Sequence, residues 1–196
     1  MLERLGEGDP RLGPTHSLSV ARAQLEGYDA PDEAQARVKR EIVDFVDQHP
    51  DALLRSCEEG HLTGSALVVD HSGDHVLVLF HRKAQRWLQP GGHADGDANL
   101  AGVARREAEE ESGIGGLVVL VPPIDLDIHQ VAFAGEQPHL HLDVRYLVVA
   151  PAGAQLLGNH ESEALRWVTP DQLPALDVDP GTVRMAARGL ELARKA

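Results

Sequence analysis

One segment near the middle of the chain constrains its fold and chemistry more than any other. From Arg106 to Glu111 the sequence reads Arg-Glu-Ala-Glu-Glu-Glu, within a stretch that predicts an α-helix. A helix places residues three and four positions apart on one face, so Glu107, Glu110 and Glu111 project together. Because like charges on one stripe repel each other, a stable fold needs a reason to keep them. A bound divalent cation with oxygen ligands, of the Mg²⁺ type, is the usual reason.

The sequence on both sides of this acidic run indicates a helix with defined ends. A Pro-Gly-Gly turn at residues 90–92 precedes it, and Gly113 follows as a C-terminal helix signal. The predicted helix extends over residues 98–112 with Asp97 as its N-cap. Arg106 precedes Glu110 by four residues and can pair with it. A solvated acidic surface is the alternative, and the flanking signals argue against it.

This segment resembles the Nudix box, written G-x5-E-x7-R-E-U-x-E-E-x-G-U, in which U is an aliphatic residue. One position departs from the pattern, because Ala98 stands where the family has its first glutamate. The matching residues are Gly92, Arg106, Glu107, Ala108, Glu110, Glu111, Gly113 and Ile114.

The resemblance implies an α/β fold, a Nudix-type α/β/α sandwich with a mixed sheet. We expect the Nudix domain at residues 61–196 and a helical N-terminal extension at residues 1–60. The implied activity is metal-dependent hydrolysis of a pyrophosphate bond in a nucleoside diphosphate linked to another moiety. The implied cofactor is Mg²⁺ or Mn²⁺, and the implied partner is a small nucleotide-like diphosphate.

The resemblance also implies a role for each acidic residue of the box. Glu107 and Glu111 would be inner-sphere metal ligands, and a backbone carbonyl in the turn that begins at Gly91 would be a third. Glu110 would bind a second metal ion or hold the attacking water. Arg106 would orient a box glutamate rather than contact the substrate.

The alanine at position 98 leaves a rival function open. A Nudix-fold module that binds a nucleotide with weak or no catalysis could lack this carboxylate, and an isomerase of allylic diphosphates is a third alternative. Asp95 and Asp97 are close enough in sequence to compensate, although an N-cap role explains Asp97 better. We expect that a glutamate restored at Ala98 would not harm the fold, because a helix N-terminus favours a carboxylate.

Many relatives take a general base from a loop after the box. In this chain Glu161 and Glu163 are the candidates, just before the short strand predicted at residues 166–168, and Glu163 is slightly favoured. Two solvated loop acids are the alternative interpretation.

Four basic or titratable residues precede the box and form a candidate phosphate-binding cluster. These residues are His81, Arg82, Lys83 and Arg86. The end of a strand whose basic side chains are solvated explains these four residues equally well.

A second informative segment, residues 138–147, alternates between apolar and polar residues as a strand does. Its polar side carries His139, His141, Asp143 and Arg145. We interpret this side as a wall of the substrate cleft in which Arg145 reaches a phosphate. A solvent-facing strand is one alternative, and a zinc site of these two histidines with His93 or His129 is another. No HExxH pattern or cysteine pair supports zinc.

Composition restricts the partners. The net charge of −13 argues against binding to nucleic acid or to an anionic membrane. No apolar run is long enough to span a bilayer, and the N-terminus lacks an apolar signal core. Cys57, the single cysteine, excludes an internal disulfide, so we expect a cytoplasmic location.

The remaining pattern predicts the other elements. Helices are expected at residues 17–28, from residue 31 to about residue 48, and at residues 182–193. The first two have no catalytic pattern, so they either pack on the main domain or form a homodimer contact. Strands are expected at residues 65–70, 75–81, 117–121, 140–149 and 166–168.

Overall fold

The computed structural model describes residues 2–132, 137–159 and 162–195. The helices are α1 (Leu18–Glu26), α2 (Glu33–Gln48), α3 (Leu100–Ser112) and α4 (Pro180–Ala193), with short 3-10 turns at Pro10–Leu12 and Pro170–Leu176. The strands are β1 (Glu3–Leu5), β2 (Gly60–Val69), β3 (Val76–His81), β4 (Arg86–Leu88), β5 (Gly91–His93), β6 (Val118–Val131), β7 (His139–Val149) and β8 (Ser162–Val168).

The strands form one mixed sheet. Its order is β1-β6-β7-β2-β3-β4, with β5 paired to β2 and β8 paired to β3. Strands β2 and β7 are parallel over their whole length, and the other pairs are antiparallel. The predicted α/β sandwich with a mixed sheet is therefore confirmed.

Strand β2 shows how the layers are built, because alternate residues of a strand face opposite sides of the sheet. Leu62 and Ala66 face a first core shared with α1, α2 and α3. Leu67 and Val69 face a second core, covered by α4. Helix α3 crosses β2 at Gly64, where a Cβ atom would lie 2.8 Å from the Leu100 carbonyl oxygen.

The N-terminal extension packs directly on this sheet. Ala21, Leu25, Ile42 and Val46 are buried in the first core, so α1 and α2 have the packing role that is one of the two predicted for them. The extension is not wholly helical, however, because β1 pairs with β6 at the sheet edge. A three-residue strand depends on its partner strand and leaves little local pattern.

Several element bounds differ from the predicted ones. Strand β6 continues well beyond residue 121, β8 begins at Ser162 rather than at residue 166, and α3 begins at Leu100 rather than at residue 98. In the described part of the chain, no helix has the length and apolar run that a membrane crossing needs.

Candidate active site

The start of helix α3 is held by the N-terminal extension. Asn99, not the predicted Asp97, is the N-cap, and its Oδ1 accepts from the Gly102 amide at 3.4 Å and from Gln24 Nε2 at 2.8 Å. Asp97 Oδ1 instead accepts from the Thr15 amide at 3.0 Å and the Asn99 amide at 2.9 Å. The carboxylate of Asp97 is thus used to fasten an earlier segment of the chain.

Ala98 is fully buried between these contacts. Its side chain has 0% exposure, and its amide donates to the Thr15 carbonyl oxygen at 2.6 Å. A glutamate here would have to bury a carboxylate inside the first core, which is costly without partners. The expectation that Ala98→Glu leaves the fold unharmed therefore does not agree with the structure.

Asp95 does not replace the missing carboxylate at the helix start. Both of its oxygens accept from Arg55, each at 2.7 Å. These hydrogen bonds hold the pKa of Asp95 below its usual range, against the opposing effect of burial. Its carboxylate is committed to a surface ion pair.

The second half of α3 brings two box glutamates against strand β5. The Gly91 amide donates to Glu111 Oε2 at 2.9 Å, and Glu111 is only 5% exposed. A Cβ atom on Gly92 would collide with the Glu107 carboxylate. A Cβ atom on Gly91 would collide with the Ser65 side chain. Glycine at position 92 therefore lets the Glu107 carboxylate approach this strand closely, and glycine at position 91 leaves room for Ser65.

Arg106 and Glu110 lie on the open side of the same turn. The Glu110 side chain is 60% exposed, 3.9 Å from Arg106 Nε, so the predicted pair is present but loose. Arg106 is also 3.5 Å from Glu107 and 3.6 Å from Asp97. Its guanidinium thus stands among three carboxylates, in agreement with an orienting role.

The helix ends as the sequence predicts. Gly113 adopts a left-handed conformation with φ of 72°, and its amide donates to the Glu109 carbonyl oxygen at 2.9 Å. The Leu157 and Gly158 amides donate to the Ser112 carbonyl oxygen at 2.9 and 3.2 Å. The loop that leads into β8 is therefore docked on the end of the box helix.

Of the two candidate bases, Glu161 lies outside the described residues. Glu163 is exposed and lies within strand β8, not in the loop where the sequence placed it. Its Oε1 accepts from Gln85 Nε2 at 3.5 Å. Gln85 belongs to the β3–β4 hairpin, so Glu163 lies beside that hairpin.

The predicted phosphate cluster lies on the same hairpin. Arg82, Lys83 and Arg86 are exposed there, and His81 is half-buried at the end of β3. An exposed basic hairpin is compatible with either interpretation of these residues.

Arg145 is placed differently from its prediction. It is 1% exposed, and its guanidinium lies 2.7 Å from Asp143, 3.2 Å from Asp125 and 3.3 Å from Asp127. Arg184 of α4 pairs with the last two at 2.9 and 3.0 Å. Burial alone would lower the pKa of Arg145, but the three carboxylates raise it. The prediction that Arg145 contacts a substrate phosphate does not agree with a buried guanidinium that already pairs with three carboxylates.

The polar side of β7 also carries histidines, which meet others from neighbouring strands. Burial and the nearby His139 lower the pKa of His61, and burial and Arg55 lower that of His93 to about 4. Burial and His93 lower the pKa of His141. These imidazoles are therefore neutral at neutral pH. His61 was not among the predicted site residues, because nothing local in its sequence links it to β7.

Comparisons with known proteins agree with this geometry. A family model described as the NUDIX domain matches residues 61–188, more than half of the chain. A NUDIX-family hydrolase from Clostridium perfringens is 24% identical with a TM-score of 0.55, covering 67% of this chain and 97% of its own. A comparison with curated proteins gives no match.

Two further solved structures share the fold. The dihydroneopterin triphosphate pyrophosphohydrolase of E. coli is 16% identical, with a TM-score of 0.53 and coverage of 69% of this chain and 96% of its own. An Ap4A hydrolase of C. elegans is 16% identical, with a TM-score of 0.52 and coverage of 69% and 98%.

The fold and the matched residues together define a Nudix domain. The chain belongs to the Nudix family, as the box residues predict.

Proposed function

We propose that this chain hydrolyses the pyrophosphate bond of a nucleoside diphosphate linked to another moiety, with Mg²⁺ or Mn²⁺ as cofactor. The observation that carries the proposal is the convergence of Glu107 and Glu111 on the glycine strand β5. Glu111 accepts from the Gly91 amide, Glu107 lies against Gly92, and Glu110 is exposed to solvent on the same helix.

The residues present fit a hard divalent cation. Carboxylate and carbonyl oxygens are its preferred ligands, and Glu107, Glu111 and the Gly91 carbonyl would supply them. Glu110 is the candidate for a second ion. When bound, such an ion neutralises phosphate charge and lowers the pKa of the attacking water.

The chain's own residues would divide the remaining work. Arg106 would offset the repulsion between the crowded carboxylates and orient them through its contacts with Glu107 and Glu110. Glu163 is the candidate general base, and Glu110 is the alternative holder of the water. The pH profile of kcat for Glu163→Gln and Glu110→Gln separates these roles. Only replacement of the general base should abolish the fall in kcat at acidic pH, because that fall reports protonation of the base.

The exposed hairpin cations would attract the diphosphate. Replacing Arg82, Lys83 and Arg86 together with alanine should raise KM by about tenfold and leave kcat little changed, since exposed charges act mainly on encounter. Lys195→Ala, at the far C-terminal end, is the matched control. A fall in kcat alone would contradict the binding role.

The activity is tested by a substrate screen with Mg²⁺ or Mn²⁺. The panel comprises nucleoside diphosphate sugars, ADP-ribose, nucleoside triphosphates and dinucleoside polyphosphates, the last because an Ap4A hydrolase shares the fold. Reactions in ¹⁸O-water, followed by ³¹P NMR, show which phosphorus is attacked. We expect one ¹⁸O atom in one of the two phosphate products, the one whose phosphorus is attacked.

The nucleotide-binding module remains the rival, because Ala98 removes one family carboxylate. Tight binding of a panel member without any phosphate product, with either metal and from neutral to alkaline pH, would favour it over the hydrolase.

A further inference from the structure

Five histidine rings meet at one end of the sheet, and we refer to them as the histidine cluster. They are His61 of β2, His93 of β5, His129 of β6, and His139 and His141 of β7. His141 lies opposite both His61 and His129 in the strand register, so these three form one row across the sheet. Contacting ring centroids are 4.8 to 5.4 Å apart.

Two members of the cluster have buried nitrogens without a hydrogen bond. His61 is 3% exposed, and no hydrogen bond of normal geometry reaches either of its ring nitrogens in the described part of the chain; the Cys57 backbone makes a weak contact with the ring. No such hydrogen bond from the described residues reaches His141 Nε2 either. Buried polar atoms are normally satisfied, because leaving them unpaired costs free energy. Because a neutral imidazole has a lone pair on one of its two nitrogens, one nitrogen of His61 and Nε2 of His141 can each bind a ligand.

Two other members are oriented through their second ring nitrogen. His139 Nδ1 lies 2.9 Å from the Gln137 carbonyl oxygen, and His129 Nδ1 lies 3.0 Å from Asp127 Oδ2. A carbonyl oxygen only accepts, so His139 Nδ1 carries the proton and Nε2 keeps its lone pair. Metal-binding histidines are oriented by such contacts as a rule.

We propose that the histidine cluster binds a transition-metal ion of the Zn²⁺ class through His61, His139 and His141. One ligand nitrogen from each of the three lies within 4.8 Å of the others. Two nitrogens on one tetrahedral Zn²⁺ are about 3.3 Å apart, given bonds of about 2.0 Å. The half-buried rings of His139 and His141 can close this difference by small rotations. His93 or water would take the fourth position.

This site is separate from the carboxylate site. Gly92 faces the Glu107 carboxylate, so the next residue, His93, projects from the opposite face of β5. The donors also differ, because imidazole suits Zn²⁺, Cu²⁺ or Ni²⁺, whereas Mg²⁺ and Mn²⁺ prefer oxygen. The two sites should therefore fill independently.

The test uses the untagged full chain, stripped of metal with a chelator and then returned to a buffer with millimolar Mg²⁺. Zn²⁺ is titrated calorimetrically, and the bound ion is examined by X-ray absorption. We expect one Zn²⁺ per chain and an imidazole scattering pattern at about 2.0 Å. The double variant His139→Gln/His141→Gln should weaken Zn²⁺ binding by more than about 100-fold.

Two controls make the result specific. His71→Gln, an exposed residue of the β2–β3 turn, should bind Zn²⁺ as the wild type does, and so should Glu107→Gln/Glu111→Gln. Zn²⁺ uptake that survives the double histidine replacement, or that Mg²⁺ abolishes, would overturn the proposal. If the double variant does not fold, an absorption spectrum of the wild type without imidazole scattering would overturn it equally.

Discussion

The two halves of helix α3 differ in what surrounds them, although both belong to one family motif. The first half is enclosed: Leu100 to Ala104 are all buried, and Asn99 and Ala98 are bound by the N-terminal extension. The second half turns Glu107 and Glu111 towards a glycine strand.

The difference teaches that a family motif is not chemically uniform along its length. At the helix start, the position of the first box glutamate has become part of the core. Near the helix end, Glu107 and Glu111 lie against β5, where we propose that a divalent metal ion binds. Four predictions test how far this separation extends.

The largest effect is expected from Glu107→Gln. It should lower kcat about 100- to 1000-fold, because several kcal/mol of transition-state stabilisation are lost at about 1.4 kcal/mol per tenfold. Thermal unfolding should show equal or greater stability without metal, since one of several repelling charges is removed. Glu109→Gln, which loses only a pair with Arg105, is the matched control and should stay near wild-type activity. Equal losses of kcat in Glu107→Gln and Glu109→Gln would show that the glutamates facing β5 have no special role.

Ala98→Glu should act on stability instead. A carboxylate forced into a fully buried position should lower the free energy of unfolding by about 3 kcal/mol, measured by urea denaturation. Ala34→Glu adds the same side chain at an exposed position near the start of α2 and should change little. An Ala98→Glu protein as stable as the wild type would show that the N-terminal extension can move aside at little cost in free energy, so that the carboxylate reaches solvent.

Asn99→Ala should cost about 1–2 kcal/mol in the same urea experiment, because it removes the cap and two donor contacts. The donors reach the Arg11 and Gly13 carbonyl oxygens at 2.7 and 3.0 Å. Asn99→Asp keeps the cap but not these donors, so it should fall between Asn99→Ala and the wild type. Equal stability of Asn99→Asp and the wild type would mean that the extension contributes nothing through Asn99.

The smallest stability change is expected from Arg106→Gln. Its ion pairs are 3.5 to 3.9 Å long and its side chain is 41% exposed, so unfolding should change by less than about 0.5 kcal/mol. The fall in kcat should be well below that of Glu107→Gln, since Arg106 acts through the glutamates. A fall in kcat as large as that of Glu107→Gln would indicate that Arg106 contacts the substrate directly.

Sequence reasoning located the box helix and its C-terminal glycine because those signals are local. It missed the N-cap, since the choice between Asp97 and Asn99 depends on a segment some 80 residues earlier in the chain. It also missed β1, whose pairing with β6 is entirely long-range.

The interpretation of β7 shows the same limit. The alternation of its side chains was predicted, but strand β6 was expected to end at residue 121. Because the structure continues β6 to Val131, it brings Asp125, Asp127 and His129 against β7. Those neighbours turn Arg145 from a surface cation into a buried one, and they complete the histidine cluster.

The buried ion pairs that Arg145 makes with Asp125, Asp127 and Asp143 affect how strands β6 and β7 align. Strand β6 departs from regular pairing with β7 after Leu120 and resumes at Asp125, which lies opposite Arg145. A strand re-entering a sheet can align in more than one way, and a slip of one residue turns every side chain to the other face. Such a slip would turn Asp125 and Asp127 away from Arg145 and leave Asp143, on the same strand, as its carboxylate partner. We infer that these ion pairs fix the alignment: Asp125→Leu, Asp143→Asn and Arg145→Met together remove the buried charges, so they should change stability little yet produce mixed β6–β7 alignments in NMR contacts. The chain would then depend on one arginine for a unique β6–β7 alignment more than for the stability of the sheet.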